Sequence, residues 1–462
     1  MKKVLALVLA VLLVLSMAGC QSEEAEGRTV VAETEHFQVD AAMMSYFIYT
    51  EYTVFLNQYA DMLTHTGLDA TKPLKDQLCA FSDGQTWLEF FNDAAMEQVR
   101  VYLYLAEKAH AAGMELSETD RQGIQVVFDE FYKTAKKEGY ENAAYLEMTF
   151  GVGITEADVR RCMELSALAH QFEESYRGSI NVSVEDAEAF YQANQYDYLY
   201  VDYYAYDVTD ETAEAAKARA EKIAAAKTAE EFQAKVEQDL RTYSPEMSEI
   251  DREKLLESIA IRGNFYYENQ AYSKWLFTQA KVGETLITEK GKSGYSVYLC
   301  TRLPYRQEEV TRNVRYIPLM AATYGSNEAA MKQAASLLMQ LHQQGLTDAA
   351  FEEVAAKYSE HESAAQGGLM LNASSEDFMA PIARWFFSDK RTEGQCEVVP
   401  FDDAYGYAIC CYLNDGLPKW QADCTAALKE QRYQQSLKEW GESISLTEHE
   451  WDLNTVPDLK RK

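Results

Sequence analysis

The sequence predicts an α+β chain of several domains: a helical first part, then a β-containing unit that occurs twice. Three observations predict it. The chain has 462 residues, more than one hydrophobic core ordinarily serves. From Ala41 to about Arg177 apolar residues recur at helical spacing, and the whole chain holds only 8 prolines and 22 glycines. After Tyr196 the texture turns to alternation, and a strand–helix–helix…strand order appears and then reappears.

Composition narrows the function before any motif does. At 47% hydrophobic and 25% charged residues the chain is globular. Its formal net charge of −31 argues against DNA or RNA as a partner, because nucleic-acid binding needs a basic footprint. It also disfavours lying flat on an anionic bilayer. The charge serves as a solvated surface, or as an acidic cradle for basic partner segments.

The N-terminus carries its own pattern. Lys2-Lys3 precede an apolar run from Val4 to Met17, then Ala18-Gly19-Cys20. A basic start, an apolar core and small residues before a cut describe a secretory signal over 1–19. Cysteine directly after Ala-Gly resembles the lipobox of bacterial lipoproteins, with Met17 where Leu is commoner. The resemblance implies that Cys20 is lipidated and that 20–35 is a tether holding the chain outside the membrane. No later run approaches the ~20 apolar residues of a membrane span. The other seven cysteines are scattered and include no C-x-x-C. Most read as small buried apolar residues, with one disulfide left open. In a strand, Cys410 and Cys411 point to opposite faces.

Taken in order, 29–40 holds one short strand and 36–195 a helical domain. Gly113 suits a helix C-cap, while Ser117 with Asp120 and Ser183 with Asp186 suit N-caps. Residues 196–305 form the first β unit: the strand YLYVDYYAYDV, an alanine-rich helix, a helix opened by Thr228, an irregular stretch, KWLF at 274–277 and the strand GYSVYLC. Residues 310–416 repeat it with NVRYIPLM, a helix ending at Gly345, a helix opened by Thr347, RWFF and GYAICCY. Val201 and Val314, Trp275 and Trp385, and Gly294 and Gly406 stand about 110 residues apart, as duplication requires. Phe232 and Phe351 are further apart, which places an insertion or deletion between landmarks. One amphipathic helix at 417–446 follows, too isolated to be stable alone, so it docks on the helical domain; 447–462 is a tail.

Several chemistries have no support. The seven histidines are dispersed and form no H-E-x-x-H pair, so no metal site is expected. A Walker loop, a G-x-G-x-x-G after a strand and a G-x-S-x-G elbow are all missing, so no cofactor is expected.

The second β unit carries a resemblance. VRYI, FEEVAAKYSEHESAAQGG, MAPIARWFF and YGYAI stand in the order and spacing of the parvulin-type (PpiC) peptidyl-prolyl isomerase domain. The chain as a whole resembles PrsA- and SurA-like extracytoplasmic foldases. In these, N-terminal helices and a C-terminal helix form a chaperone module with parvulin domains inserted; 196–305 is then a degenerate copy. The resemblance implies a hollow for a prolyl ring, with Ser359–Gln366 as its lip and Gly367-Gly368 turning beside it. The X-Pro bond resists rotation by ~18–20 kcal/mol because planar amide resonance must be lost. An apolar site that disfavours the charge-separated planar form lowers that barrier without a nucleophile. Carried over by position, the first-strand histidine is Tyr316, the last-strand histidine is Ala408 and the lip residue is His361. Met379 and Phe387 fall at pocket positions, as does Ile382, and Trp385 and Phe386 join Ile382 as client-contacting residues. The histidine positions of the first copy hold Tyr203 and Ser296. The implied function is a lipid-anchored folding factor that binds extended or proline-containing clients, with weak or lost isomerase activity. The alternatives are an active isomerase and a non-catalytic envelope lipoprotein with one fixed partner.

Overall fold

The structure, a computed structural model, describes residues 29–60, 63–151, 153–264, 266–401 and 405–456. The expected secretory signal over 1–19, Cys20, most of the expected tether and the end of the expected tail lie outside the described residues. The chain divides into two compact units, one running to Asn181 and resuming at Lys429, the other Val182–Leu428.

The first unit opens with two strands where one was expected, β1 (Val30–Glu33) and β2 (Gln38–Asp40). They are antiparallel, and the turn between them closes when the Thr34 N–H donates to the Phe37 carbonyl at 2.8 Å. Helix α1 (Ala41–Gln58) starts at Asp40, whose carboxylate accepts from the N–H groups of Ala42 and Met43, both at 3.0 Å. The other oxygen of Asp40 pairs with Arg161 at 2.7 Å, so the buried cap is also neutralised. Helices α2 (Trp87–Ala111), α3 (Glu118–Glu138), α4 (Asn142–Phe150) and α5 (Glu156–Ser179) follow. Reciprocal capping boxes start three of them, Thr86 with Glu89, Ser117 with Asp120 and Thr155 with Asp158. Gly113 takes the left-handed φ of +69° just past α2, as its position predicts. Trp87, Phe47, Phe91, Met44 and Ile48 are wholly buried, so most of the helical aromatics are core.

The second unit begins with α6 (Val184–Ala193), capped by Ser183 and Asp186. Next comes the first β copy: β3 (Leu199–Thr209), α7 (Ala213–Ala224), α8 (Ala229–Tyr243), α9 (Glu249–Ser258), β4 (Ala260–Gly263), α10 (Ala271–Thr278), β5 (Thr285–Lys290) and β6 (Gly294–Arg306). The second copy has β7 (Val310–Met320), α11 (Asn327–Gln343), α12 (Asp348–Tyr358), β8 (Leu369–Ala373), α13 (Ala380–Phe386), β9 (Cys396–Pro400) and β10 (Gly406–Pro418). Their sheets have the same antiparallel order, β4-β3-β6-β5 and β8-β7-β10-β9. The recurrence read from landmarks is therefore a recurrence of topology.

The copies differ where the Phe232–Phe351 offset disagrees with the rest. The stretch expected to be irregular in the first copy contains α9 and β4; α9 starts at Ser248, whose side chain accepts from the Asp251 N–H. In the second copy β8 answers to β4, and only a 3-10 turn, Glu362–Gln366, stands in place of α9. Helix α8 also starts differently from a capping box: Thr228 accepts from the Glu231 N–H, but Glu231 returns to the N–H of Lys227.

Each sheet is covered on both faces. In the second copy Ile317, Leu319, Ile409 and Cys411 pack with Leu337, Leu341, Phe351 and Val354 of α11 and α12. On the other face Val314, Tyr316, Ala408 and Cys410 pack with Ile382, Trp385 and Phe386 of α13. Cys410 and Cys411 thus lie on opposite faces, and Cys411 is bonded to Cys396 of β9. Cys79, Cys162, Cys300, Cys410 and Cys424 are free and buried.

Helix α14 (Lys419–Ser443) closes the architecture. In the second unit its Trp420 and Cys424 bury with Ala187 and Tyr191 of α6. In the first unit Tyr433 and Trp440 bury with Leu105, Ala169 and Ile180, the docking on helices that its amphipathic pattern requires. Strand β11 (Thr447–Glu448) then pairs with β1, in the order β11-β1-β2.

Candidate functional site

The face of the second sheet under α13 holds the candidate site. Tyr316, in β7, stands opposite Cys410 of β10, and Ala408 stands opposite Pro318. Tyr316 and Ala408 therefore share one face of neighbouring strands, where the resemblance asks for two histidines. Ala408 is wholly buried and offers a methyl group only. Burial pushes the Tyr316 hydroxyl well above the ordinary tyrosine range, so it stays neutral. Cys410 is fully buried and its thiol is also pushed up by desolvation, which leaves it inert as a nucleophile.

Three rings meet at the mouth. Tyr316 meets His361 edge-on with centroids 5.3 Å apart and meets Phe378 edge-on at 5.4 Å. Phe378 in turn lies 4.8 Å from Phe386. Such tilted pairs bring a positive ring edge to a negative ring face, which fixes the wall they build. His361 caps the 3-10 turn of the lip: its Nδ1 accepts from the Ser363 N–H at 3.2 Å and lies 2.8 Å from Ser363 Oγ. That bond leaves Nε2 as the N–H donor of the ring.

The double glycine has two separate reasons. Gly367 and Gly368 have φ of +64° and +74°, open to glycine and costly for other residues. A Cβ on Gly367 would lie 2.6 Å from Nη1 of Arg315, and one on Gly368 would lie 2.7 Å from the Tyr316 carbonyl. The lip is thereby pressed against β7. Arg315 fastens it from behind, donating to the Gly367 carbonyl at 2.8 Å and to Asp348 at 2.5 Å. Its guanidinium also sits 4.7 Å above the Phe351 ring.

The remaining sequence-predicted positions separate. Met379 and Phe387 are the two caps of α13, eight residues apart, or about 12 Å along a helix axis. Met379 is 41% exposed, whereas Phe387 is half-buried beneath Arg312. They do not sit side by side. Ile382 and Phe386 are wholly buried, and Trp385 donates its Nε1–H to Glu397 at 2.7 Å while Arg391 covers its ring. These three form the floor and offer no face to a client, a correction that follows from α13 turning its apolar side into the sheet. Phe378 was missed by sequence reasoning, although it adjoins Met379 in EDFMAP; it is half-buried, with its ring against that of Tyr316. Arg315 was missed too, because a cation inside a strand reads as surface.

The first copy is built differently. Tyr203 is buried on a wall with Tyr298, at 6.3 Å, and Tyr272 stacks on Tyr298 at 4.7 Å. Ser296 spends its hydroxyl on Asp207 at 2.5 Å. A helix, α9, stands where the second copy has its lip.

Residues 317–414 match the rotamase family, the PPIC-type PPIASE domain. The PPIC-type match runs from the strand of Tyr316 to the strand of Ala408 and encloses the lip, the double glycine and α13. No curated protein matches the chain. Among solved structures, the foldase PrsA from Streptococcus pneumoniae is similar at 13% identity and a TM-score of 0.22, over 49% of this chain and 79% of that one. The foldase PrsA from Lactococcus lactis is similar at 10% identity and 0.23, over 61% and 80%. A third, from a study of the SurA-like chaperones PEB4 and Cj1289 of Campylobacter jejuni, is similar at 13% identity and 0.17, over 92% and 100%.

A second concave surface lies in the helical unit. A cavity of about 340 Å³ is lined by Val54, Phe55, Tyr59, Phe81, Phe90 and Phe91, with Glu51 at its wall. Phe81 is 56% exposed there, and burial raises the Glu51 carboxyl above its usual range. Among the described residues no helix is long and apolar enough to cross a membrane.

Proposed function

We propose that the chain is an extracytoplasmic folding factor, tethered to the membrane through Cys20, that holds extended or proline-containing polypeptides and isomerises them weakly or not at all. The PPIC-type match supports the ancestry of the second copy. One observation carries the reduced catalysis: the strand positions that should present two histidines hold a neutral buried Tyr316 and a buried Ala408. What survives is an aromatic wall, suited to packing on a prolyl ring and poor at polarising the amide. The aromatic cavity at Phe55 and Phe81 supplies a second apolar foothold for an unfolded chain.

His361 favours a second reading, an active isomerase, because its ring carries an N–H donor and stands 5.3 Å from the ring of Tyr316. A proline-limited refolding assay separates the two. The folding factor suppresses aggregation of the client, with little acceleration of the slow phase. Phe81→Ala lowers that suppression. Clear acceleration that His361→Ala or Phe378→Ala abolishes would establish the isomerase instead. Capture of a single stoichiometric partner from cells, in place of many clients, would favour a fixed-partner envelope lipoprotein. For the anchor, Cys20→Ala should release the chain into the medium.

A further inference from the structure

The dispersed histidines gave no reason to expect a metal site, but the fold gathers two of them with a carboxylate. His36 lies in the turn between β1 and β2, and Glu107 and His110 lie one turn apart on α2. The ligand-capable atoms of the three all lie within 4.8 Å of one another. The two imidazole rings stand 3.9 Å apart, tilted by 31°. Glu107 accepts from the His36 backbone N–H at 2.8 Å with one oxygen, and its other oxygen lies 2.8 Å from His36 Nδ1. The Thr34 hydroxyl closes the same turn on the Phe37 carbonyl at 3.3 Å, and Phe37 meets the His110 ring edge-on at 6.3 Å. Lys108 is drawn away to the Trp440 ring, at 5.6 Å.

The geometry points to a His36–Glu107–His110 site for a late first-row divalent cation of the zinc class. Two imidazoles and one carboxylate select zinc, copper or nickel over magnesium and calcium, which prefer oxygen ligands throughout. Around tetrahedral zinc, with bonds of about 2.0–2.1 Å, ligand atoms stand roughly 3.4 Å apart. Both histidines are exposed, so small side-chain rotations bring the ligand atoms to that spacing. The backbone N–H of His36 holds Glu107 in place, as the outer hydrogen-bond partner of a metal ligand does. A bound cation would fasten the β1–β2 turn to α2 and leave a fourth position open to solvent. None of this depends on the folding activity proposed above.

The test is zinc titration of the untagged full chain in excess Mg²⁺, read by calorimetry and by thermal unfolding. Expected is one tight Zn²⁺ per chain and a raised unfolding temperature. His36→Gln and His110→Gln each weaken binding at least tenfold and remove the thermal shift, while their metal-free unfolding matches that of the parent. His342→Gln, an exposed histidine on α11, leaves binding unchanged. Failure to bind Zn²⁺ in the presence of Mg²⁺, or wild-type affinity in either His36→Gln or His110→Gln, overturns the site.

Discussion

Gly368 shows how closely one residue is held. Its φ of +74° alone costs another residue roughly 1–2 kcal/mol. In addition, a Cβ there would meet the Tyr316 carbonyl at 2.7 Å, and backbone cannot swing aside as a side chain can. Gly345, in the same copy, has a similar φ of +76°, but a Cβ there would meet nothing within 4 Å. Gly368→Ala should therefore destabilise the second unit clearly more than Gly345→Ala, as read by denaturant unfolding. Equal losses would mean that the lip moves freely over β7. At this scale the sequence was legible where a residue's chemistry is local. The caps at Ser117, Ser183 and Thr347 and the glycine pair all act within a few residues. Phe378 and Arg315 were not legible, because their roles come from strands and loops distant in the chain.

Among the elements, α14 joins the first unit through a polar cluster as well as through Tyr433 and Trp440. Glu173 of α5 lies 2.8 Å from Arg177 and 3.6 Å from His170, and the Arg177 guanidinium reaches α14, 3.6 Å over the Tyr433 ring and paired with Glu430. His170 first, with Arg177 and Tyr433 adding to it, holds the Glu173 carboxyl down at about 2, against an ordinary 4.5. A depressed carboxyl adds stability that is complete above its unfolded value and is lost as the proton returns. The packing of 429–443 should thus hold at neutral pH and weaken between about pH 4.5 and pH 2. Hydrogen exchange over these residues checks it, with Glu173→Gln flattening the dependence; unchanged protection at pH 3 would contradict it. The type and order of elements were mostly readable from periodicity, as α2 and α11 show. The pattern failed at α9, whose apolar residues form no continuous stripe, and at β1–β2, where a four-residue turn splits what reads as one strand.

For the whole molecule, the charge of −31 is the dominant long-range property. Such a field raises the encounter rate with basic polypeptides and is screened within about 8 Å at physiological salt. Association with a basic unfolded client should slow markedly between low and physiological ionic strength, while an acidic client of equal length should show the opposite trend. Stopped-flow measurements with both distinguish this; rates indifferent to salt and client charge would reduce the charge to solubility alone. The duplicated architecture was visible in spaced landmarks because both copies kept the residues that cross each sheet. The meeting of His36 with His110 was not, since no spacing in sequence encodes a contact between a hairpin turn and a helical residue 74 positions on.

Strand β1 lies between β2 and β11, with Ala32 facing Glu448. Strand β11 comes after both β copies in the chain. An emerging polypeptide can complete those copies while β1 still has a bare edge, and the helical unit must wait for α14 and β11 before it closes. A stop codon that removes only the residues after 428 would therefore cripple the helices made first.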